Sequence, residues 1–183
     1  RPAGTSNGAG YTIPAVTDTD EVTNLEFGWK ASLKDGSLRF NGSAFMVDIS
    51  GLQSTIFDAS IVNLFFSDNA ADAEIRGVEG DFVYLTGNGL ILSGAFSLLD
   101  TELTSSLVPT SDIIVGSELA FAPGYQVNIA ARKEWGMSSG NTGHWQAQMS
   151  RSDESYSDIM EPNRAIQGSY SLFNVRTGMS NDE

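Results

Sequence analysis

The sequence predicts an all-β fold: an antiparallel, up-and-down transmembrane β-barrel, of which this chain would supply about seven strands. Three observations support it. Polar and apolar side chains alternate, the alternating stretches are long, and the connections between them are short and long in turn. In the first stretch Leu25, Phe27 and Trp29 point to one side, while Glu26 and Lys30 point to the other.

Seven stretches carry this alternation. They are residues 22–33, 37–49, 73–85, 90–103, 119–135, 143–151 and 166–177. Each is long enough for the roughly 9–11 residues that a tilted membrane strand needs. Tight turns at 34–36, 86–89 and 136–142 join them in pairs. In the second stretch the apolar residues change sides near Ser43, which predicts a bulge or the end of the membrane band there.

Composition agrees with a β protein. The chain has 183 residues, of which 40% are hydrophobic, with many glycines and few prolines. No run approaches the roughly 18 apolar residues of a transmembrane helix. The absence of cysteine excludes a disulfide scaffold, a zinc–thiolate site and cysteine catalysis. The chain opens on Arg1 without a signal peptide, and we expect it to be a piece of a longer protein.

The net charge of −13 is concentrated at one end of the predicted barrel. Fifteen of the 23 acidic residues lie in the long connections and the strand ends beside them, at residues 1–23, 58–74, 100–118 and 153–161. Near them the only basic residues are Arg1 and Arg164. Such a rim repels phosphate, so we expect no nucleic-acid partner. It could attract cations or basic ligands, or simply be a set of well-solvated loops.

One motif has the spacing of a hydrolase. Residues 136–140 fit the pattern G-x-S-x-G, in which a strand precedes the nucleophilic serine and a helix follows it. Here a second strand follows, and the single histidine, His144, is only six residues from Ser138. The Gly- and Ser-rich stretch is therefore interpreted as a β-turn.

Two glycine motifs also have ordinary β-structure readings. Residues 87–89 resemble the start of a phosphate-binding loop, but no helix follows to bind the anion, and Asn-Gly between alternating strands is a common hairpin turn. Residues 41–43 spell a glycosylation sequon inside a predicted strand, where it would normally be inaccessible.

Acidic side chains offer two further candidates. Asp68, Asp72 and Glu74 could bind calcium through oxygen atoms, although they lack the spacing of an EF-hand and suit a solvated acidic segment better. Glu79 and Asp81 fall on one face of a strand, as two catalytic carboxylates would. In a barrel that face is the wet lumen, where charge needs no catalytic role. We therefore predict no enzyme, no catalytic or metal-binding residue, and no cofactor.

Five stretches together resemble the barrel of a TonB-dependent outer-membrane receptor. They are residues 21–30, 45–49, 75–80, 119–128 and 170–176. Each consists of little more than a strand end and a turn, but their order and spacing are similar to those of the family between residues 21 and 177. By this resemblance, the short turns face the periplasm and the acidic connections face outward.

The resemblance implies a function. Members of that family have a barrel of 22 strands around an N-terminal plug, and they import siderophores, cobalamin, haem or glycans with energy transmitted by TonB. The expected location is the bacterial outer membrane. The expected partners are a siderophore-like or other large nutrient ligand, the TonB complex acting through a plug, and the lipid and lipopolysaccharide of that membrane.

The domain prediction is that residues 1–183 form part of one barrel domain, with residues 1–20 as an outer loop. The sequence contains no plug, TonB-box segment or terminal strand typical of the family. No individual ligand-binding residue can be assigned, so the segments to search are 50–72, 104–117 and 152–165. Two alternatives stay open: a soluble β-sandwich or jelly-roll binding module, for carbohydrate for example, and a secreted enzyme on a β scaffold.

Overall fold

A computed structural model of the chain describes residues 12–60, 62–138 and 140–180. Within these ranges the strands are β1 (Glu21–Leu33), β2 (Leu38–Asp58), β3 (Val62–Leu85), β4 (Leu90–Ser106), β5 (Tyr125–Gly136), β6 (Thr142–Ser152), β7 (Ser155–Tyr156), β8 (Ile166–Gln167) and β9 (Tyr170–Ser180). Seven of them form one antiparallel sheet in the order β1-β2-β3-β4-β5-β6-β9. The short strands β7 and β8 pair separately. The predicted antiparallel all-β fold with seven long strands is confirmed.

The described residues also form a 3₁₀ turn at Glu161–Asn163. Across the described residues, no helix has the length and apolar character needed to cross a membrane.

The predicted loop at residues 50–72 is wrong, because β2 and β3 continue through it to form a tall hairpin. Its polar residues suggested a loop, yet they hydrogen-bond across the hairpin. Gly51 has φ 72°, and its N–H donates to Asp72 Oδ1 over 2.8 Å. The Asn69 amide donates to the Gly51 carbonyl over 2.6 Å. Register shifts beside Leu52 take up the irregularity.

Two predicted strands begin too early. β5 starts at Tyr125 rather than at residue 119, because Pro123 cannot donate to a ladder and Phe121 has φ 57°. The last long strand starts at Tyr170 rather than at 166. Residues 166–167 pair instead with Ser155–Tyr156 in the two-stranded sheet.

Strand register gives the long sheet one apolar face. Cross-strand partners share a face, so the pairs Leu25↔Met46, Val78↔Leu98 and Ile129↔Met149 lie together. Phe173 and Val175 are 71% and 81% exposed on this face. An apolar surface of this extent on one side of a sheet is typical of lipid contact.

Aromatic residues border the apolar face. Near the short turns lie Trp29, Tyr84, Trp135 and Trp145, and at the opposite edge lies Tyr125. Ten residues separate Trp135 from Tyr125, which corresponds to roughly 25 Å across the membrane at the usual strand tilt. That distance matches the apolar band of an outer-membrane barrel.

The opposite face is polar. It carries amide, hydroxyl and charged side chains: Glu26, Lys30, Asn41, Ser43, Glu79, Asp81, Ser97, Gln126, Asn128, Arg132, Gln146, Gln148, Ser150, Asn174 and Arg176. A soluble sandwich would cover one sheet with a second sheet. The described residues form the seven-stranded sheet and one two-stranded sheet of β7 and β8.

The predicted bulge near Ser43 is wrong. Pairing of β2 with β3 is continuous from Leu38 to Ile49, so Phe45 and Val47 lie on the polar face as the strand nears its outer end. Phe45 covers Gly77 there, whose position would bring an added Cβ into the ring. The apolar residues of β2 change sides because some of them pack against other residues on the lumen face. Alternation along one strand does not reveal such packing.

The short turns behave as predicted. Lys34 and Asp35 have φ of 50° and 55°, and Gly36 has 85°, a left-handed run that reverses the chain between β1 and β2. Gly87 and Gly89 also have positive φ, at 78° and 80°. Because consecutive strands pair antiparallel, the three short turns lie at one end of the sheet, while the tip of the β2–β3 hairpin and the connections after β4 and β6 lie at the other.

Candidate ligand-binding mouth

The buried core lies at the end of the sheet that carries the long connections. We call this set of apolar residues the mouth cluster, and it comprises Ile13, Ile56, Phe66, Ala70, Ala71, Ala73, Leu103, Val108, Ile113, Leu119, Ile159 and Met160. Ala73 and Leu103 are cross-strand partners on the lumen face. The long connections therefore fold over the lumen side of the sheet and exclude water there.

A hydrogen-bonded carboxylate joins the β2–β3 hairpin to the next connection. Asp58 is 7% exposed, and it accepts a hydrogen bond from the Thr110 hydroxyl over 2.6 Å. The Ser60 hydroxyl and N–H donate to its other oxygen over 2.6 and 2.7 Å. A buried carboxylate needs such donors, so this contact fixes residues 107–112 against the hairpin tip.

A second polar contact holds residues 12–20 beside the same hairpin. The Asp18 N–H donates to Asn69 Oδ1 over 2.8 Å, and the Asp18 carbonyl accepts from Asn69 and from Gln53. Ile13 enters the mouth cluster and is 1% exposed. Residues 1–11 of the predicted outer loop at 1–20 lie outside the described residues.

The two outer connections also bind each other. Ile113 and Met160 form an antiparallel bridge, and the Phe121 N–H donates to the Tyr156 carbonyl over 2.7 Å. The Arg164 guanidinium lies 4.8 Å from the centre of the Tyr156 ring. Residues 107–124 and 153–169 therefore form one continuous wall of the mouth.

The lumen face of the described residues carries several grooves, one of which, of about 400 Å³, is lined by Gln146, Gln148, Asn174 and Arg176. The upper groove, of about 480 Å³, lies at the outer ends of β5, β6 and β9. The acidic groove, of about 510 Å³, lies on β1–β3 and contains Glu26, Lys30, Glu79 and Asp81.

In the acidic groove, side chains of β2 donate hydrogen bonds to the two carboxylates of β3. Ser43 donates to Glu79 over 3.4 Å, and Asn41 donates to Asp81 over 3.2 Å. The predicted shared face of Glu79 and Asp81 is confirmed, and it is the lumen face.

Asp68, Asp72 and Glu74, candidate calcium ligands that suit a solvated acidic segment better, each have a separate partner. Asp72 accepts from the Ser105 hydroxyl over 2.7 Å, while Glu74 forms an ion pair with Arg76. Asp68 accepts from the Asn69 N–H over 2.9 Å. In the described ranges no group of three or more His, Cys, Asp or Glu side chains could hold a metal ion.

The G-x-S-x-G stretch is a turn. The Gly140 N–H donates to the Met137 carbonyl over 3.1 Å, and β6 follows at Thr142. No helix follows to expose a nucleophile, so the hydrolase geometry is absent around Ser138, and Ser139 lies outside the described residues. Asn41 of the sequon lies within β2, as predicted.

The predicted search segments 50–72, 104–117 and 152–165 all contribute to the mouth. Sequence reasoning missed the residues that join them, such as Ile113, Ile159 and Met160. The available signal was a few isolated apolar side chains inside polar connections, where water would otherwise surround them.

Comparison with known proteins gives one consistent family. The description "TonB dependent receptor-like, beta-barrel" matches residues 3–180. A comparison with curated protein sequences gives no match.

Solved structures give the same fold. The ferric preacinetobactin receptor BauA from Acinetobacter baumannii matches with a TM-score of 0.66 at 21% identity, over 99% of this chain and 26% of that one. The siderophore receptor PiuA from the same organism matches with a TM-score of 0.66 at 20% identity, over 90% of this chain and 23% of that one. The ferric yersiniabactin uptake receptor FyuA from Yersinia pestis matches with a TM-score of 0.65 at 15% identity, over 85% of this chain and 22% of that one. This chain spans about a quarter of the length of these proteins.

Proposed function

Because this chain belongs to the TonB-dependent receptor-like β-barrel family of the bacterial outer membrane, we propose that it forms part of the wall and mouth of a receptor for energised uptake. The cargo is a siderophore-like or other large ligand. The family is one of receptors rather than enzymes. The observation that carries the proposal is the two-faced sheet, apolar toward lipid and polar toward a lumen, with a folded mouth at its outer end.

The polar face supports a transport role. A ligand too large for simple pores needs a wide, wet lumen, and the side chains of that lumen offer many hydrogen-bonding groups without a dry core to fill. In the complete receptor, β1 and β9 pair with further strands, which removes the two open edges. Uptake through such a lumen requires a plug that TonB displaces, and a plug facing this wall would meet the grooves described above.

The siderophore class is supported by the solved structures, whose names describe receptors for ferric siderophores. The outer lipid leaflet is the proposed partner of the apolar face and its aromatic borders.

Uptake by whole cells tests the proposal. The complete receptor is expressed as the only outer-membrane receptor able to take up iron complexes, and accumulation of radioactive iron is measured for a panel of ferric siderophores. We expect accumulation of at least one complex, and we expect its loss both without TonB and after collapse of the proton gradient. Accumulation that persists without TonB, or none for any complex while the receptor is present in the outer membrane, would contradict energised siderophore uptake.

A further inference from the structure

The upper groove combines a position near the mouth with an unusual lining. Its lumen-facing side chains occupy two neighbouring rows of the sheet. The first row is Ser97, Gln126, Ser152 and Tyr170, and the second is Ala95, Asn128, Ser150 and Leu172. Gln126 is the second residue of β5, and Ser152 and Tyr170 are terminal residues of their strands.

This position is at the outer side of the membrane. Ten residues separate Gln126 from Gly136 at the short-turn end, a distance of roughly 33 Å along the strand. The wall formed by residues 107–124 and 153–169 begins where these strands end. A molecule that enters from outside therefore meets the upper groove before the lower lumen.

The lining is uncharged. Arg151 borders the groove, but its guanidinium donates to the Tyr125 hydroxyl over 2.8 Å, and both residues belong to the lipid face. The same two rows carry Glu79 and Asp81 farther along, on β3. The charge thus changes along the rows from acidic on β3 to neutral on β5, β6 and β9.

The uncharged groups retain free hydrogen-bonding capacity. Asn128 donates from Nδ2 to the Ser150 hydroxyl over 2.7 Å, which leaves the Asn128 oxygen as an acceptor and the Ser150 hydroxyl as a donor. The Gln126 side chain is exposed and offers both a donor and an acceptor. Tyr170 adds an aromatic ring that is 41% exposed.

We propose that the upper groove binds an uncharged, hydrogen-bonding face of the transported ligand, rich in amide or hydroxyl groups. The proposal rests on the proposed uptake function and specifies the chemistry of its ligand. Neutral amides and hydroxyls recognise such a face by paired donors and acceptors. An anionic ligand would find only Arg151 at the border of the groove, where the guanidinium donates to Tyr125 on the lipid face, and would also meet the acidic rim. A neutral hydroxamate complex and a sugar share this chemistry.

The test is equilibrium binding to the complete receptor in detergent. The probes are a neutral ferric trihydroxamate complex, a neutral linear hexasaccharide of glucose and an anionic ferric tris-catecholate complex. We expect one neutral probe to bind more tightly than the anionic complex. The double variant Gln126→Ala with Asn128→Ala should lower the affinity for that probe about tenfold, because two hydrogen bonds are lost.

The matched control is Gln146→Ala with Gln148→Ala, which removes two amides from the same face nearer the periplasmic end. It should change affinity less than twofold. Gln126→Ala alone is a second test variant, and because that side chain is exposed, folding should not depend on it.

Several results would overturn the proposal: tighter binding of the anionic complex, no binding of either neutral probe, or equal losses in the groove and control variants. Energised uptake of any iron complex by the wild-type receptor would leave the uptake function standing in each of these cases. If the wild-type receptor takes up no iron complex, the proposed uptake function fails. The binding assay measures ligand affinity at the groove whether or not uptake is observed.

Discussion

At the scale of single residues, close contacts between aromatic rings and glycines hold neighbouring strands together. Trp29 covers Gly42, Trp135 covers Gly143, and Phe82 covers Gly94. A ring placed over a glycine replaces the missing side-chain packing and shields the ladder beneath it. The sequence offers the glycines and aromatics, but only the strand register shows which ring lies over which glycine.

Gly42→Ala should therefore destabilise the sheet by about 1–3 kcal/mol. An added Cβ would overlap the Trp29 ring and lie 2.6 Å from the Glu79 carbonyl oxygen. The measurement is the melting temperature of the complete receptor in detergent, with unfolding monitored by circular dichroism. Gly136→Ala is the control, because its Cβ would meet nothing within 4 Å. Equal melting temperatures for the two variants would contradict the close contact between ring and glycine.

Thr110→Val should weaken the mouth by about 1–3 kcal/mol, because it removes a hydroxyl donor from the buried Asp58 carboxylate. Limited proteolysis of the complete receptor should then cut within residues 107–124 faster than in the wild type. Thr110→Ser keeps the hydroxyl and should restore resistance. If serine and valine behave alike, the hydrogen bond to Asp58 does not hold this connection.

At the scale of elements, the mouth cluster stabilises the outer connections. Leu103→Ala should cost about 2–5 kcal/mol, since Leu103 is fully buried at 0% exposure. Leu107→Ala is the control from the connection that follows β4, because Leu107 is 48% exposed and should cost under about 1 kcal/mol. Denaturant unfolding of the complete receptor measures both. A similar small loss for both leucines would show that the cluster does not contribute to stability.

Sequence alternation predicted the membrane-spanning parts of the strands well, because each residue there has one of two environments. It failed above the membrane, where both faces meet protein or water. Residues 50–58 and 62–72 continue the β2–β3 hairpin, although their polarity suggested a loop. Residues 119–124 are mostly apolar and belong to the predicted strand, yet Phe121 has a positive φ and Pro123 cannot donate to a ladder, so the strand begins at Tyr125.

The candidate site was less predictable than the strands. The search segments named from the sequence lie at the mouth, but the upper groove depends on a row of residues that runs across four strands, from Ser97 to Tyr170. Glutamine, asparagine and serine on a strand also carry no chemical signature of their own. They form a binding surface only when strand register brings them side by side, and neither composition nor local periodicity determines that register.

At the scale of the whole molecule, β1 and β9 are the edges of the sheet, and on one side of each strand no described strand pairs with its backbone. β9 is exposed along its entire length, and β1 along nearly all of it. The isolated 183-residue chain should therefore aggregate in buffer and gain β structure in detergent micelles. Circular dichroism and analytical ultracentrifugation in both solvents measure this. A folded monomer in plain buffer would contradict membrane burial of the apolar face.

The most direct test of the central claim is the water accessibility of single cysteines along β6. These 183 residues contain no cysteine, so each substitution in this region adds one new thiol. In the complete receptor within native outer membranes, a water-soluble maleimide should label cysteines at Gln146 and Gln148, which face the lumen. Cysteines at Ala147 and Met149 should stay unlabelled in lipid and react after detergent extraction. Equal labelling at all four positions would contradict a membrane-spanning strand with one face toward lipid and the other toward a wet lumen.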